Sequence, residues 1–280
     1  MALIQLNYVS SALFRTVTVN VVLPCDKLDA DRKHYLNRGK KFKTLYLLHG
    51  LIGNYTDWIS GTRVQRLAEK NDLAVVMPSG DNSFYVNSYA IPNNDYGRFI
   101  GEELVEVTRA MFPLSDKRED TFVGGLSMGG FGALRAAMAY PETFSKAVVL
   151  SGALHILDEN CDNLADEQLV FGDTALARGT EKDPEALFAK LAAEKKRDPA
   201  KQIPDVYISC GTQDSLMGVN KRYRDLLSAG GADVTFREVP GYGHEWDLWD
   251  REIEYVIKNW LPLDESVTGI TSGSVRGEEK

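Results

Sequence analysis

Hydrophobic and polar positions along the chain follow two periods, one typical of buried strands and one typical of amphipathic helices. Short continuous apolar runs, each bounded by glycine, proline or polar residues, predict strands that are buried on both faces. Between them lie stretches with apolar residues three and four positions apart, which predict helices. The predicted strands are near 5–8, 13–23, 44–48, 73–78, 121–126, 144–150, 206–211 and 234–239. The main predicted helices are near 63–71, 96–112, 128–140, 220–229 and 246–260.

The order of these elements predicts an α/β fold. Strands that alternate with helices indicate a mostly parallel central sheet with helices on both faces. Residues 13–23 differ because their apolar and polar positions partly alternate, which predicts an antiparallel strand at the edge of the sheet, with one wetter face. In a parallel sheet of this kind, ligands bind at the carboxyl ends of the strands.

The length of 280 residues and the 44% hydrophobic content allow one large domain with a substantial core. We expect this domain to span residues 1–262. Within it, residues from about 153 to 204 are polar and helix-prone, which predicts a small helical cap inserted over the sheet edge. Residues 263–280 are rich in serine, threonine, glycine and charge, so we predict a disordered tail.

Charge and cysteine content limit the classes of partner. The net charge of −8 argues against nucleic acid and against anionic membranes, and it favours a small neutral molecule. The three cysteines are far apart and form no disulfide framework or zinc spacing, which favours reduced thiols and the cytoplasm. No signal-peptide pattern or apolar run long enough to span a membrane is present, although a removed signal peptide would leave the same picture. Homo-oligomerisation stays open, and no metal or cofactor motif is visible.

One apolar run passes through a serine flanked by glycines directly into a helix. Gly125-Leu126-Ser127-Met128-Gly129 fits the G-x-S-x-G pattern of a nucleophile elbow. At such a sharp turn a Cβ on either glycine would press on backbone, while the serine is held strained with its Oγ exposed. A glycine-rich turn can also be pure packing, but the flanking strand and alanine-rich helix favour a catalytic serine. The unpaired amides of the helix start would favour an oxyanion beside Ser127.

A second candidate element follows the strand at 44–48. A histidine-glycine step, His49-Gly50, can aim the next backbone N–H over the sheet edge to complete an oxyanion hole, and Leu51 is our candidate donor. We interpret His49 as a core histidine that holds this loop rather than as a proton-transfer group. Trp58 either lines the pocket or packs the loop. Tyr85 and Tyr89 lie in a long aromatic loop that is typical of a binding site.

Two further residues follow predicted strands and complete a catalytic order. Serine needs a nearby base, and His244 lies in a late loop rich in glycine. Asp214 follows the strand at 206–211 and would hold the imidazole tautomer. The alternatives are a turn aspartate for Asp214 and a helix-start residue for His244. Asp247 is a rival acid, but it lies in the first helical turn, where acids are expected because of the helix dipole.

Together these blocks resemble the esterase D-like family of α/β-hydrolases, which includes tributyrin-type carboxylesterases, S-formylglutathione hydrolases and feruloyl or acetyl-xylan esterases. The resemblance covers about residues 19–260 and implies the α/β-hydrolase fold. It also implies Ser127, Asp214 and His244 as the triad, with the amides of Leu51 and Met128 as the oxyanion hole. The motifs that carry it are His49-Gly50-Leu-Ile-Gly-Asn54, Asp57-Trp58, Gly-Gly-Leu-Ser127-Met-Gly-Gly-Phe-Gly, Gly211-x-x-Asp214 and Gly243-His244-Glu245.

The predicted function is that of a serine carboxylesterase that hydrolyses short-chain acyl esters through an acyl-enzyme on Ser127. The glycine-rich block is most similar to the tributyrin-type branch. The alternatives are a thioesterase for S-formylglutathione, or a feruloyl or acetyl-xylan esterase. In a different class, a catalytically dead hydrolase fold could serve as a binding module. The partner is a small-molecule ester, bound in a pocket for which Trp58, Tyr85 and Tyr89 are the candidates.

Overall fold

The computed structural model describes residues 2–28, 39, 41–88, 90–159, 161 and 165–263, with residues 165–167 as backbone only. Tyr89 and residues 264–280, on which two of the sequence predictions fall, lie outside these ranges. The eight described strands are β1 (Ala2–Ser10), β2 (Arg15–Leu23), β3 (Lys43–Leu48), β4 (Leu73–Pro78), β5 (Thr121–Leu126), β6 (Lys146–Leu150), β7 (Asp205–Gly211) and β8 (Val234–Val239).

Helices separate most of the strands. Two of them continue into π-helical turns, Phe99–Glu103 between α3 and α4 and Val256–Trp260 after α10. A short 3₁₀ turn, Arg118–Asp120, precedes β5. The α-helices are α1 (Asp57–Gly61), α2 (Val64–Lys70), α3 (Tyr96–Arg98), α4 (Leu104–Met111), α5 (Met128–Ala139), α6 (Ala165–Phe171), α7 (Thr174–Ala177), α8 (Pro184–Arg197), α9 (Met217–Ala229) and α10 (Trp246–Tyr255).

All eight strands form one sheet in the order β1-β2-β4-β3-β5-β6-β7-β8. The pairs β1–β2 and β2–β4 are antiparallel, and the pairs from β4 to β8 are parallel. In the parallel part, Leu48 lies opposite Gly125, and Leu126 lies opposite Leu150. This register brings the carboxyl ends of β3, β5 and β6 to the same edge of the sheet.

Two apolar layers enclose the sheet, as continuous apolar strands require. On one face, side chains of α4, α5 and α8, including Leu104, Leu134 and Phe188, pack together with β-strand residues. On the other face, α2 and α10 pack against the sheet through residues such as Leu67 and Ile253. The α/β-hydrolase fold predicted from the sequence is confirmed.

The edge of the sheet differs from the prediction. The strand at 13–23 corresponds to β2, which is antiparallel as expected but is paired on both sides, so its predicted edge position is wrong. The edge strand is β1, which is longer than the predicted segment near 5–8 and has a regularly alternating burial pattern. Pairing with β4 buries the second half of β2 on both faces, and this pairing between distant segments leaves little trace in the local sequence.

Candidate active site

Ser127 lies at the sharp corner between β5 and α5. Its backbone has φ 53° and ψ −118°, a conformation that non-glycine residues rarely adopt and that costs about 1–3 kcal/mol. Two hydrogen bonds to the end of β6 and to the loop that follows it hold it there. The Ser127 N–H donates to the carbonyl of Leu150 at 2.9 Å, and the Ser127 carbonyl accepts from Ala153 N–H at 3.0 Å. The strain is therefore imposed by the neighbouring strand.

Both glycines of the elbow are required by close backbone contacts. A Cβ on Gly125 would collide with the carbonyl of Gly129 and would lie 2.8 Å from the carbonyl oxygen of Leu48. A Cβ on Gly129 would collide with the carbonyl of Leu48 and would lie 2.6 Å from that of His49. These atoms are backbone and cannot rotate away. The steric reason given for the G-x-S-x-G pattern is confirmed at both positions.

Asp214 and His244 form a hydrogen-bonded pair after β7 and β8. His244 Nδ1 lies 2.8 Å from Asp214 Oδ2, and the other carboxylate oxygen accepts from the Leu216 N–H at 2.9 Å. Burial by itself would raise the pKa of Asp214, but hydrogen bonds led by the one from His244 outweigh it, so the pKa lies below its ordinary value. With Nδ1 donating to a carboxylate, Nε2 of a neutral His244 is left as an acceptor.

Ser127 and His244 line the same cleft, whose volume is about 710 Å³. The His244 side chain is 37% exposed, whereas the Asp214 side chain is fully buried. Trp249 packs its ring at right angles to the imidazole, with the ring centroids 5.0 Å apart. The base candidate is therefore accessible from the cleft, while its acid partner is shielded from water. Asp247 lies outside this pair and is exposed at the start of α10.

The loop after β3 passes directly beside the serine. A Cβ on Gly50 would lie only 3.5 Å from the Cβ of Ser127, and the next residue, Leu51, lines the cleft. In the part of the chain that the structure describes, no hydrogen bond occupies the Leu51 N–H. Met128 is the first residue of α5, where backbone amides have no intrahelical acceptor. These two amides are the available donors next to Ser127.

His49 holds this loop, as the sequence interpretation proposed. It is 1% exposed, its Nε2 accepts from the Gly80 N–H at 2.8 Å, and its Nδ1 therefore donates to the Gly50 carbonyl at 2.7 Å. Burial lowers the pKa of His49, which favours the neutral ring in this role. Tyr85 supports the same loop because its hydroxyl donates to the His49 carbonyl at 3.0 Å.

The predicted pocket residues are not those that line the cleft. Trp58 is 1% exposed and donates its indole N–H to the Leu48 carbonyl at 3.0 Å, and Tyr85 is fully buried. For Trp58, the structure shows the second of the two alternatives, packing of the loop. Tyr85, a candidate for the pocket, also packs behind the loop and does not line the cleft. Tyr89 lies outside the described residues. The side chains that do form the walls, and that the sequence interpretation missed, include Ile52, Asp57, Trp246 and Trp249.

The described residues of the helical segment between β6 and β7 pack against the body of the domain. None of its described residues lines the cavity that holds Ser127. Its last helix, α8, packs against α5. Phe171 at the end of α6 packs against Phe84 and Phe131, with ring centroids 5.3 and 5.8 Å apart. In its described residues, the segment therefore packs against the loop that contains Phe84 and Tyr85 and against α5, the helix that follows Ser127.

No helix among the described residues is both long enough and apolar enough to cross a membrane. The same part of the chain contains no group of three or more histidine, cysteine, aspartate or glutamate residues that could hold a metal ion.

Comparison with known proteins identifies the family. A family model described as putative esterase matches residues 10–254. An acetyl esterase from Caldicellulosiruptor saccharolyticus is 39% identical over 270 residues, which cover 93% of this chain and 98% of that protein.

Two solved structures from Staphylococcus aureus are each 34% identical to this chain and cover 91% of it. One is the fluorophosphonate-binding serine hydrolase FphF, matched over 96% of its chain with a TM-score of 0.78. The other is the S-formylglutathione hydrolase FrmB, matched over 97% of its chain with a TM-score of 0.76. A ferulic acid esterase at 20% identity shares the fold, with a TM-score of 0.74. The chain belongs to the putative esterase family and has the α/β-hydrolase fold.

Proposed function

We propose that this protein is a serine carboxylesterase for short-chain acyl esters, with Ser127 as nucleophile, His244 as general base and Asp214 as the residue that orients His244. The observation that carries the proposal is the 2.8 Å contact between Asp214 and His244, which leaves the other ring nitrogen available in the cleft that Ser127 also lines. Similarity to an acetyl esterase and to a serine hydrolase supports it.

The proposed reaction has two halves, acylation of Ser127 and hydrolysis of the acyl-enzyme, and His244 transfers a proton in both. Ser127 Oγ attacks the ester carbonyl carbon while His244 Nε2 takes its proton, and Asp214 stabilises the resulting imidazolium. The N–H groups of Leu51 and Met128 donate to the oxyanion of the tetrahedral intermediate. His244 then gives the proton to the departing alkoxide, which leaves an acyl-enzyme. Water then attacks the acyl carbon while His244 takes its proton, and the bond to Ser127 Oγ breaks as His244 returns the proton to Oγ, which releases the acid.

The walls of the cleft favour a small acyl group. His244, Trp246 and Trp249 are rigid rings that pack on one another, with ring centroids 5.0 and 5.1 Å apart. Each added methylene that fits gains about 0.8 kcal/mol from burial. A methylene that does not fit costs about 1–3 kcal/mol because packed rings must move. We therefore propose a preference for acetate to butyrate, without activation at lipid interfaces.

Hydrolysis of S-formylglutathione is the second candidate, favoured by the 34% identity to FrmB. Glutathione carries two carboxylates, and recognition of carboxylates normally uses arginine or lysine. Among the described residues that line the cleft, the only acidic or basic side chains are the imidazole of His244 and the negatively charged carboxylate of Asp57. This charge disfavours an anionic leaving group, so we rank the carboxylesterase first.

The compartment is a further part of the proposal. Cys25 and Cys210 are buried and form no disulfide. Unpaired cysteines suit a reducing environment. We therefore propose that the enzyme is cytoplasmic. The net charge of −8 further favours small uncharged esters over nucleic acid as its partners.

A substrate series tests this function. We expect kcat/KM for p-nitrophenyl esters to be highest between acetate and butyrate and to fall for longer chains, and tributyrin hydrolysis to follow dissolved substrate only. A maximum at palmitate, or a rate jump when tributyrin droplets form, would contradict the proposal. A kcat/KM for S-formylglutathione far above that for every oxygen ester would favour the second candidate.

A further inference from the structure

The strand β1 closes one end of the sheet and leaves a long edge unpaired. All nine of its residues, Ala2–Ser10, pair in unbroken antiparallel register with β2. In the described part of the chain, no residue pairs with the opposite edge of β1. Such an edge presents a row of free N–H and C=O groups, which is a template for another strand.

β1 also lacks the features that normally protect an edge strand. It contains no charged residue, no proline and no bulge in its register. Two apolar side chains on its outer face are in solvent, with Leu3 44% and Val9 74% exposed. The strand at the other end of the sheet, β8, is shorter and carries Arg237 and Glu238. Protection is therefore present at one end of the sheet and missing at the other.

The sequence of β1 is complementary to itself when it runs antiparallel. If a two-fold axis passes through Leu6, each residue lies opposite one of the same character, and both belong to the same face of the strand. Cross-strand apolar pairs of this kind stabilise a sheet, and like charges do not oppose each other because the strand has none. The facing pairs are Leu6 with Leu6, Gln5 with Asn7, Ile4 with Tyr8, Leu3 with Val9 and Ala2 with Ser10.

We propose that β1 is the interface of a homodimer in which two copies of this chain pair their β1 strands antiparallel about Leu6. The two sheets then form one continuous sheet, and the unpaired backbone groups of both edges are satisfied. β2, β4 and β3 lie between β1 and the elbow strand β5, so each copy keeps its own cleft open. The proposal is independent of the reaction that the cleft catalyses.

A pair of double variants at the two exposed apolar positions tests the interface and its register. In Leu3→Lys/Val9→Lys, the introduced lysine of one copy faces that of the other at both symmetric positions. In Leu3→Lys/Val9→Glu, each introduced lysine faces an introduced glutamate. The first variant also reduces the net charge of −8, so general repulsion between copies falls and cannot explain a weaker dimer. Equilibrium sedimentation over a concentration series gives the dissociation constant of each.

We expect the natural chain to dimerise, the double-lysine variant to dissociate at least ~10-fold more readily, and the lysine-glutamate variant to stay within about threefold of the natural chain. Unchanged kcat/KM in both variants shows that each is folded. A natural chain that sediments as a monomer at every concentration contradicts the proposal. Equal dissociation constants for the two variants, whether weakened or not, contradict it as well.

Discussion

The ends of two neighbouring strands, β5 and β6, carry serines that both have a positive φ but lie in different surroundings. Ser127 has φ 53° and Ser151 has φ 46°, and each directly follows its strand. Ser127 lines the cleft, whereas Ser151 is fully buried. In the proposed mechanism, access to the cleft that His244 also lines is what distinguishes Ser127 from Ser151.

The corner at Ser127, after β5, also depends on the corner at Ser151, after β6. Ser127 is held by Leu150 and Ala153, the residues on either side of the β6 corner. That corner is in turn held by Asn220 of α9, whose side-chain amide donates to the Gly152 carbonyl at 2.9 Å and accepts from the Gly152 N–H at 3.1 Å. The buried corner thus serves as a scaffold for the exposed one.

Replacing each serine in turn gives the largest contrast. Ser127→Ala should lower kcat by about 10⁵–10⁶-fold with little loss of stability, because it removes the nucleophile from an accessible position. Ser151→Ala removes a buried hydroxyl that interacts with the Asp214 carboxylate but does not line the cleft, so we expect less than about a tenfold change. Steady-state kinetics and thermal unfolding measure both. Similar losses in the two variants would show that the corners do not differ in role.

The acid partner of His244 is the next largest effect. Asp214→Asn should lower kcat by up to ~10⁴-fold, because the amide no longer favours the tautomer that leaves Nε2 as an acceptor. Asp247→Asn is the matched control, since Asp247 is exposed and lies three residues after His244. We expect almost no change from it. If the control lost more activity than Asp214→Asn, the acid would belong to α10.

The scaffold role of the β6 corner predicts an effect on stability. Asn220→Ala leaves the buried N–H and C=O of Gly152 without partners, which costs about 1–3 kcal/mol of unfolding free energy. Because the same corner positions Ser127, kcat should fall while KM changes little. Urea unfolding together with kinetics measures both quantities. Normal stability together with a normal kcat would show that the corner after β6 does not position Ser127.

At the carboxyl ends of the strands, the sequence predicted well those features that depend on residues close in sequence. The elbow was predictable because Gly125 and Gly129 lie where the adjacent backbone leaves no room for a Cβ atom. The acid and base candidates were predictable because each of them follows a predicted strand. The sequence could not decide whether Trp58 and Tyr85 line the pocket or pack the loop, because an aromatic residue in a loop packs inward or outward according to contacts distant in sequence. Trp246 and Trp249, spaced one helical turn apart after His244, were the available signal for the true wall.

The smallest expected effect concerns the charge of the cleft. Asp57→Asn removes the carboxylate from the wall, so kcat/KM for an ester with an anionic leaving group should rise by a few fold at low ionic strength, while that for a neutral ester stays constant. The increase should shrink as salt is added. An equal change for neutral and anionic esters would indicate that Asp57 acts on the loop of Leu51 and not through its charge.

The assignment of Ser127 as the nucleophile is tested most directly by trapping the covalent intermediate. The enzyme is mixed with p-nitrophenyl acetate, quenched in acid within the burst of p-nitrophenol release, and digested for peptide mass spectrometry. We predict one acetyl group, located on Ser127, with none on Ser151 and none in Ser127→Ala. An acetyl group on another residue, or the same acetylated peptide from Ser127→Ala, would contradict the account.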